Sequence, residues 1–240
     1  MRLLLISLIF FGCSPLFANE SFIRFHSANV QALYGEGFEP GDDDKHIFTG
    51  EYFQANRVGD LFFFIDSSKV RGGDSGFYSE LSPRLSLPGF DWNNSKYIKN
   101  VLLALNIEKP EGLTPRRLYG FGVDLKLPGF QVFNTHLYQR DDPTLKGNTF
   151  QFTLVWKATF SGFGAYWLAE GFADLAGGEG PGRVSHQLVV PRLLLDVGQW
   201  LNISRGRLFA GVEYSYWHNK FGLDGVTESV PQLQLKWVMF

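Results

Sequence analysis

The chain has 240 residues, 45% hydrophobic, 16% aromatic and 19% charged, with a formal net charge of −2. This balance excludes a disordered chain, gives no electrostatic footprint for nucleic acid, and suits a single domain. A mean hydropathy of −0.07 argues against membrane helices but not against membrane strands, whose apolar residues fall one in two so that window averages vanish.

In chain order, Met1 to Ala18 opens with Arg2, runs apolar from Leu3 to Phe11, and ends at Pro15 and Ala18. This reads as a secretory signal, its apolar core too short to span a bilayer. Leu16 at the −3 position is larger than the usual small residue and leaves the cut site open by a few residues. Cys13, the only cysteine, lies inside this segment, and Phe10-Phe11-Gly12-Cys13 also permits a lipoprotein reading. Ordinary cleavage after Ala18 removes all thiol chemistry and leaves residues 19–240 as one domain.

From there, apolar side chains recur at every second position in twelve segments, about 22–34, 46–57, 60–69, 76–87, 98–108, 117–127, 130–140, 148–160, 163–175, 185–198, 207–218 and 230–240. Period two gives each strand one greasy and one polar face. In the sixth, Tyr119, Phe121, Val123, Leu125 and Leu127 alternate with Gly120, Gly122, Asp124 and Lys126; the fourth and eighth repeat the pattern. An even number of such strands, each near the roughly 9–11 residues that cross an apolar band of about 25 Å, closes into an antiparallel barrel without free edges. The fold expected is all-β: a twelve-stranded transmembrane β-barrel of a Gram-negative outer membrane, with both termini periplasmic.

The connections fit that expectation. Links around 36–45, 70–75, 109–116, 141–147, 176–184 and 219–229 fall on one side and are rich in Gly, Pro or charge, while Val58-Gly59, Pro128-Gly129 and Ser161-Gly162 read as tight turns on the other. Two links on the tight-turn side, near 88–97 and 199–206, are longer than the pattern prefers. A soluble sandwich or lipocalin-like barrel also alternates, but seldom puts Phe, Leu and Trp on the outer face of nearly every strand. One feature disagrees: Leu233, Leu235, Trp237 and Met239 make the last apolar face, with Gln234 and Lys236 opposite, so Phe240 is out of step or a bulge intervenes.

Alternation also selects interior residues. With Leu61, Phe63 and Ile65 facing lipid, Asp60, Phe62, Phe64 and Asp66 face inward. The same parity brings in Glu51, Phe53, Glu80, Arg84, Asn134, His136, Tyr138, Arg140, Glu170, Phe172, Asp174, Arg192, Asp196, Glu213 and Trp217. Carboxylates and arginines, Glu80 with Arg84 or Arg192 for example, would pair across a narrow interior. Rings beside hydrogen-bonding groups suit a flat solute with a hydroxylated part, although some would merely plug the barrel. The five histidines, His26, His46, His136, His186 and His218, have no paired metal spacing, and the chain has no GxSxG elbow, P-loop or dinucleotide fingerprint. No catalytic residue, metal or cofactor is expected. Asp42-Asp43-Asp44 reads as a solvated acidic loop ahead of a Ca²⁺ site.

Several short stretches, in order along the chain, resemble the Tsx-like nucleoside-specific channel-forming outer-membrane proteins. They are His26-Ser27-Ala28-Asn29-Val30 with Tyr34 and Phe38-Glu39-Pro40; Asp60–Asp66; Glu80-Leu81-Ser82-Pro83-Arg84; Gly120-Phe121-Gly122-Val123-Asp124 with Leu127-Pro128-Gly129; and Tyr216-Trp217-His218. The resemblance implies a monomeric twelve-stranded barrel for passive uptake of nucleosides and deoxynucleosides, aromatics gripping the base and polar groups the sugar, and in some members a surface receptor for phages and colicins. By position, Phe38 resembles a loop aromatic that matters for nucleoside passage. Phe64, Glu80, Arg84, Asp124, Asn134, Tyr138 and Trp217 fall on matching stretches, and with Phe62, Asp66 and Phe172 complete the expected substrate-binding set. The partners implied are nucleosides, outer-membrane lipids including lipopolysaccharide, and the barrel-assembly machinery. Two alternatives stay open: a structural or receptor barrel without specific transport, and a barrel enzyme acting on lipid through a Ser-His pair at the rim.

Overall fold

The computed structural model describes residues 21–41, 43–89, 92 and 94–240. The segment read as a secretory signal, Cys13 and Asp42 lie outside the described residues. Twelve strands follow one another: β1 (Ile23–Phe38), β2 (Asp43–Asn56), β3 (Gly59–Val70), β4 (Ser75–Ser86), β5 (Ile98–Pro110), β6 (Arg116–Leu125), β7 (Val132–Asp141), β8 (Thr149–Gly162), β9 (Ala165–Ala176), β10 (His186–Asp196), β11 (Leu208–His218) and β12 (Glu228–Val238). Each pairs antiparallel with its sequence neighbours, and β1 pairs with β12 from Asn29↔Val238 to Gly35↔Gln232. The sheet is therefore a closed barrel of twelve strands. Among the described residues no helix is long and apolar enough to cross a membrane.

The expected period is plain on several strands. On β5, Leu102, Ala104, Asn106 and Glu108 are buried while Leu103, Leu105 and Ile107 are exposed. On β12, Glu228, Val230, Gln232, Gln234 and Lys236 are buried and Leu233, Leu235 and Trp237 exposed. The exposed apolar residues make a belt around the outer wall, including Phe48, Phe77, Phe121, Leu137, Phe152, Leu193 and Val212. At the end where β1 begins and β12 finishes, here the terminal end, Tyr97, Phe130, Phe163, Trp200 and Phe240 add exposed aromatics.

Four expectations meet the structure differently or are resolved by it. The strands run further than alternation shows: Gly37, at φ 84°, forms a bulge that lets Phe38 pair with Asp43, so the first link shrinks to residues 39–42. The longest links, 87–97 and 197–207, lie at the terminal end, so link length does not separate the two ends. The turn expected at Ser161-Gly162 is at Phe163-Gly164, both with positive φ (54° and 73°), the mirror-image geometry that matches strand twist in a two-residue hairpin. Finally, no bulge interrupts the pairing of β12. Phe240 lies beyond the strand, its carbonyl accepting from the Ala28 N–H at 3.1 Å and its ring 4.9 Å from His26.

Candidate channel interior

Parity sends a side chain inward, and the level along the strand then decides what it meets. Midway along the barrel, Arg192 of β10 meets Glu213 of β11 at 2.5 Å, Glu51 of β2 at 3.2 Å and Glu170 of β9 at 3.8 Å. Lys236 of β12 bonds Glu170 and reaches Glu51 at 3.5 Å. Asn29 donates to Glu51 and Gln232 to Glu213, so both carboxylates have neutral donors as well.

Near the terminal end a second group surrounds Arg84 of β4. Its guanidinium donates to both oxygens of Asp60 (2.8 and 2.6 Å), to Asp124 at 2.7 Å, and to Nε2 of His136 at 3.1 Å. Arginine has no acceptor, so this bond places the histidine proton on Nδ1. Gly122 makes the arrangement possible: a Cβ there would lie 2.8 Å from the His136 ring. With its amide nitrogen turned toward Asp124, Asn134 donates to that carboxylate at 3.0 Å.

At the opposite, loop end, Arg140 grips Glu108 with two nitrogens (2.6 and 2.9 Å) and Gln151 at 2.8 Å, while Arg116 donates to Asp142 at 2.6 Å. Glu179, from the link 177–185, accepts from the Asp142 N–H at 2.7 Å and ties two links together. Burial pushes Glu179 above the usual carboxylate range. In Asp142 the same burial is outweighed by bonds from Thr144 and Arg116, which hold it below that range. Lys220, bonded to Glu228 and 5.0 Å above the Trp217 ring, is held below its ordinary value by burial.

Aromatic rings line a different wall. Phe25 and Phe53 are 6.2 Å apart, Phe62 and Phe64 6.0 Å, and Phe64 and Tyr78 5.8 Å. Phe53 is paired with Phe62 across β2 and β3, so the rings follow one another along β2, β3 and β4, half-buried and facing the interior.

The expected substrate-binding residues therefore separate. Phe62 and Phe64 sit on the ring strip. Asp66 accepts from Thr49 at 2.5 Å, and Glu80 from Tyr78 at 2.5 Å and Asn106 at 2.8 Å. Glu80 pairs with neither Arg84 nor Arg192: four residues along one strand separate Glu80 from Arg84 by about 13 Å, and Arg192 is held by Glu51, Glu170 and Glu213. Arg84, Asp124 and Asn134 form the terminal-end group. Tyr138, 4% exposed, is packed with Ala104 and Leu118 and stacked on His136 at 5.4 Å, so it is a wall residue and not a free ring. Phe172 is half-buried on β9 between Val155 and Val190. Trp217 lies at the loop end, its Nε1 donating to His186 at 3.3 Å and its ring 4.7 Å from Phe221. Phe38 is not in a loop; it is buried at the end of β1 beside Gly35, with Lys45 4.9 Å above it.

Asp196, expected as an interior charge, instead accepts from the N–H groups of Gly198 (3.1 Å) and Gly206 (2.6 Å) and shapes the link 197–207. The interior residues selected by parity omit Asn106, Glu108 and Arg116; Tyr78 and Lys236 fall on the polar faces of their strands, Lys236 in the even-numbered run Gln232-Gln234-Lys236. Among the described residues no cluster of three or more His, Cys, Asp or Glu could hold a metal ion, and Asp44 faces Arg71 at 3.6 Å.

No family model matches the chain, and no curated protein does. Solved structures do. The KdgM porin in complex with disordered oligogalacturonate is 8% identical with TM-score 0.49, covering 88% of this chain and 98% of that one. Outer membrane protein Omp33 of Acinetobacter baumannii is 10% identical with TM-score 0.40, covering 91% and 99%. The translocator domain of autotransporter NalP from Neisseria meningitidis is 12% identical with TM-score 0.29, covering 91% and 89%.

Proposed function

We propose that this barrel sits in a bacterial outer membrane, as a monomer in contact with its lipids, and passes nucleosides passively through its interior. The continuous belt of exposed Leu, Phe and Val on the outer wall supports the location, because a soluble surface seldom carries a contiguous apolar patch of that extent. The observation that carries the solute class is the pairing of two unlike walls. The strip Phe53, Phe62, Phe64 and Tyr78 offers π-faces for a base, and the carboxylates and guanidinium of the mid-barrel group offer partners for sugar hydroxyls. Such a site is weak by construction: an uncharged solute exchanges water for stacking and hydrogen bonds, with no ion pair to hold it.

Adenosine or thymidine added to a single channel in a planar bilayer is expected to block its ion current saturably. Phe64→Ala should weaken that block while ion conductance stays similar or rises, and Trp217→Ala should do so at the loop-end mouth. A conducting channel indifferent to nucleosides would overturn the solute assignment. That outcome would favour a structural or receptor barrel, a reading supported by the ion pairs spanning the interior.

A further inference from the structure

We propose that the mid-barrel ion-pair group is a bar across the channel that sets its ion preference, with Glu51 and Lys236 contributing in opposite directions. The inference rests on the channel reading above. Around the ring the order runs β2-β1-β12-β11-β10-β9, so Glu51 and Glu170 stand five strands apart where six is the farthest possible. Arg192 touches both, at 3.2 and 3.8 Å, and Lys236 also reaches both. Arg192 reaches Glu51 across four strands and Lys236 bonds Glu170 across three, so these side chains cross the interior and do not follow the wall.

The level is also defined. Glu51, Glu170, Arg192 and Glu213 each lie near the middle of their strands, and Lys236 is 3% exposed. The bar holds three carboxylates (Glu51, Glu170, Glu213) against two cations (Arg192, Lys236). Its flanks cancel: Lys157 stands 3.8 Å from Glu170, and Asp66, tied to Thr49, adds a carboxylate on the β3 side. Asn29, Gln31, Gln232 and Gln234 of β1 and β12 are neutral. One negative charge is therefore uncompensated at the level these ion pairs cross, and mobile cations are favoured there.

The test is the cation-over-anion permeability ratio in planar bilayers under a KCl gradient. Glu51→Gln is the decisive variant because each cation keeps a carboxylate, Arg192 with Glu213 and Lys236 with Glu170. It should lower the ratio about sixfold, since one elementary charge acting across roughly 8 Å of water changes cation and anion by about 2.4-fold each in opposite directions. Lys236→Gln should raise the ratio by a similar factor and increase conductance. Asp74→Asn, on the exposed link 71–74, serves as the control and should leave the ratio unchanged. Heat-modifiable gel mobility confirms that each variant is folded, and if Lys236→Gln does not fold, Glu51→Gln decides alone. Conducting barrels in which neither bar variant shifts the ratio more than Asp74→Asn overturn the bar and leave the channel reading intact. A folded wild type and Glu51→Gln that both conduct nothing overturn the channel reading and the bar with it. A silent wild type whose current appears in Glu51→Gln supports the bar.

Discussion

Arg84 shows how one side chain can hold a wall together. It is 7% exposed and satisfies two carboxylates and an imidazole from β3, β6 and β7. Removing a buried cation leaves its partners charged and unpaired, which costs far more than the pair contributes relative to an apolar replacement. Arg84→Met should therefore destabilise the barrel by about 3–5 kcal/mol, read as a shift in urea-unfolding midpoint in lipid vesicles. Adding Asp124→Asn should recover part of the loss, since one orphaned charge is then gone. Equal midpoints for wild type and Arg84→Met would show the guanidinium to be solvated and dispensable. Parity identified Arg84, Asp60 and Asp124 as interior groups from sequence alone. Their association was not legible, because which strands' side chains meet depends on strand tilt and stagger, and these leave no trace in a one-dimensional pattern. The same limit placed Tyr138 and Asp196 on the correct face while hiding that one is walled in and the other caps a link.

At the level of the element, all twelve strands were legible because period two is a direct consequence of the pleat between unlike media. It failed where chemistry other than burial sets the backbone. Gly35-Glu36-Gly37 breaks the alternation, yet the chain stays paired through a bulge to Phe38. The hairpin between β8 and β9 turns at Phe163-Gly164 and not two residues earlier, because positive φ at both positions is what the turn demands. Gly164 isolates that demand: at φ 73° a Cβ would meet nothing within 4 Å, so any penalty there is backbone strain alone. Gly164→Ala should cost about 1 kcal/mol, measured by urea unfolding. Gly162→Ala, whose nearest neighbour is Phe160 at 4.0 Å, should change little. A larger effect at Gly162 would return the turn to Ser161-Gly162. Lys236 is the instructive case for the site: it looked discordant only against an expected aromatic terminus, whereas Gln232-Gln234-Lys236 is regular alternation facing the bar.

For the molecule as a whole, closure and the two-sided wall are one argument. Pairing β1 with β12 leaves no edge strand, so the backbone polar groups of the wall are satisfied within it, and this is what lets a sheet stand in hydrocarbon. The polar residues then have only the interior to occupy, which is why so many charged groups are buried there while Leu and Phe are exposed. If the belt contacts lipid, the cost of a charge must depend on depth and not merely on exposure. Leu105 in the middle of β5 and Leu113 on the link 111–115 are 50% and 51% exposed, so they differ in height while matching in accessibility. Leu105→Arg should destabilise the folded barrel in lipid vesicles by about 2–4 kcal/mol, and Leu113→Arg by about 0–1 kcal/mol. A soluble barrel would treat the two alike, since both arginines would reach water. Equal costs at the two positions would remove the membrane from the account, and with it the division of residues between an oily outside and a charged interior on which the proposed channel rests.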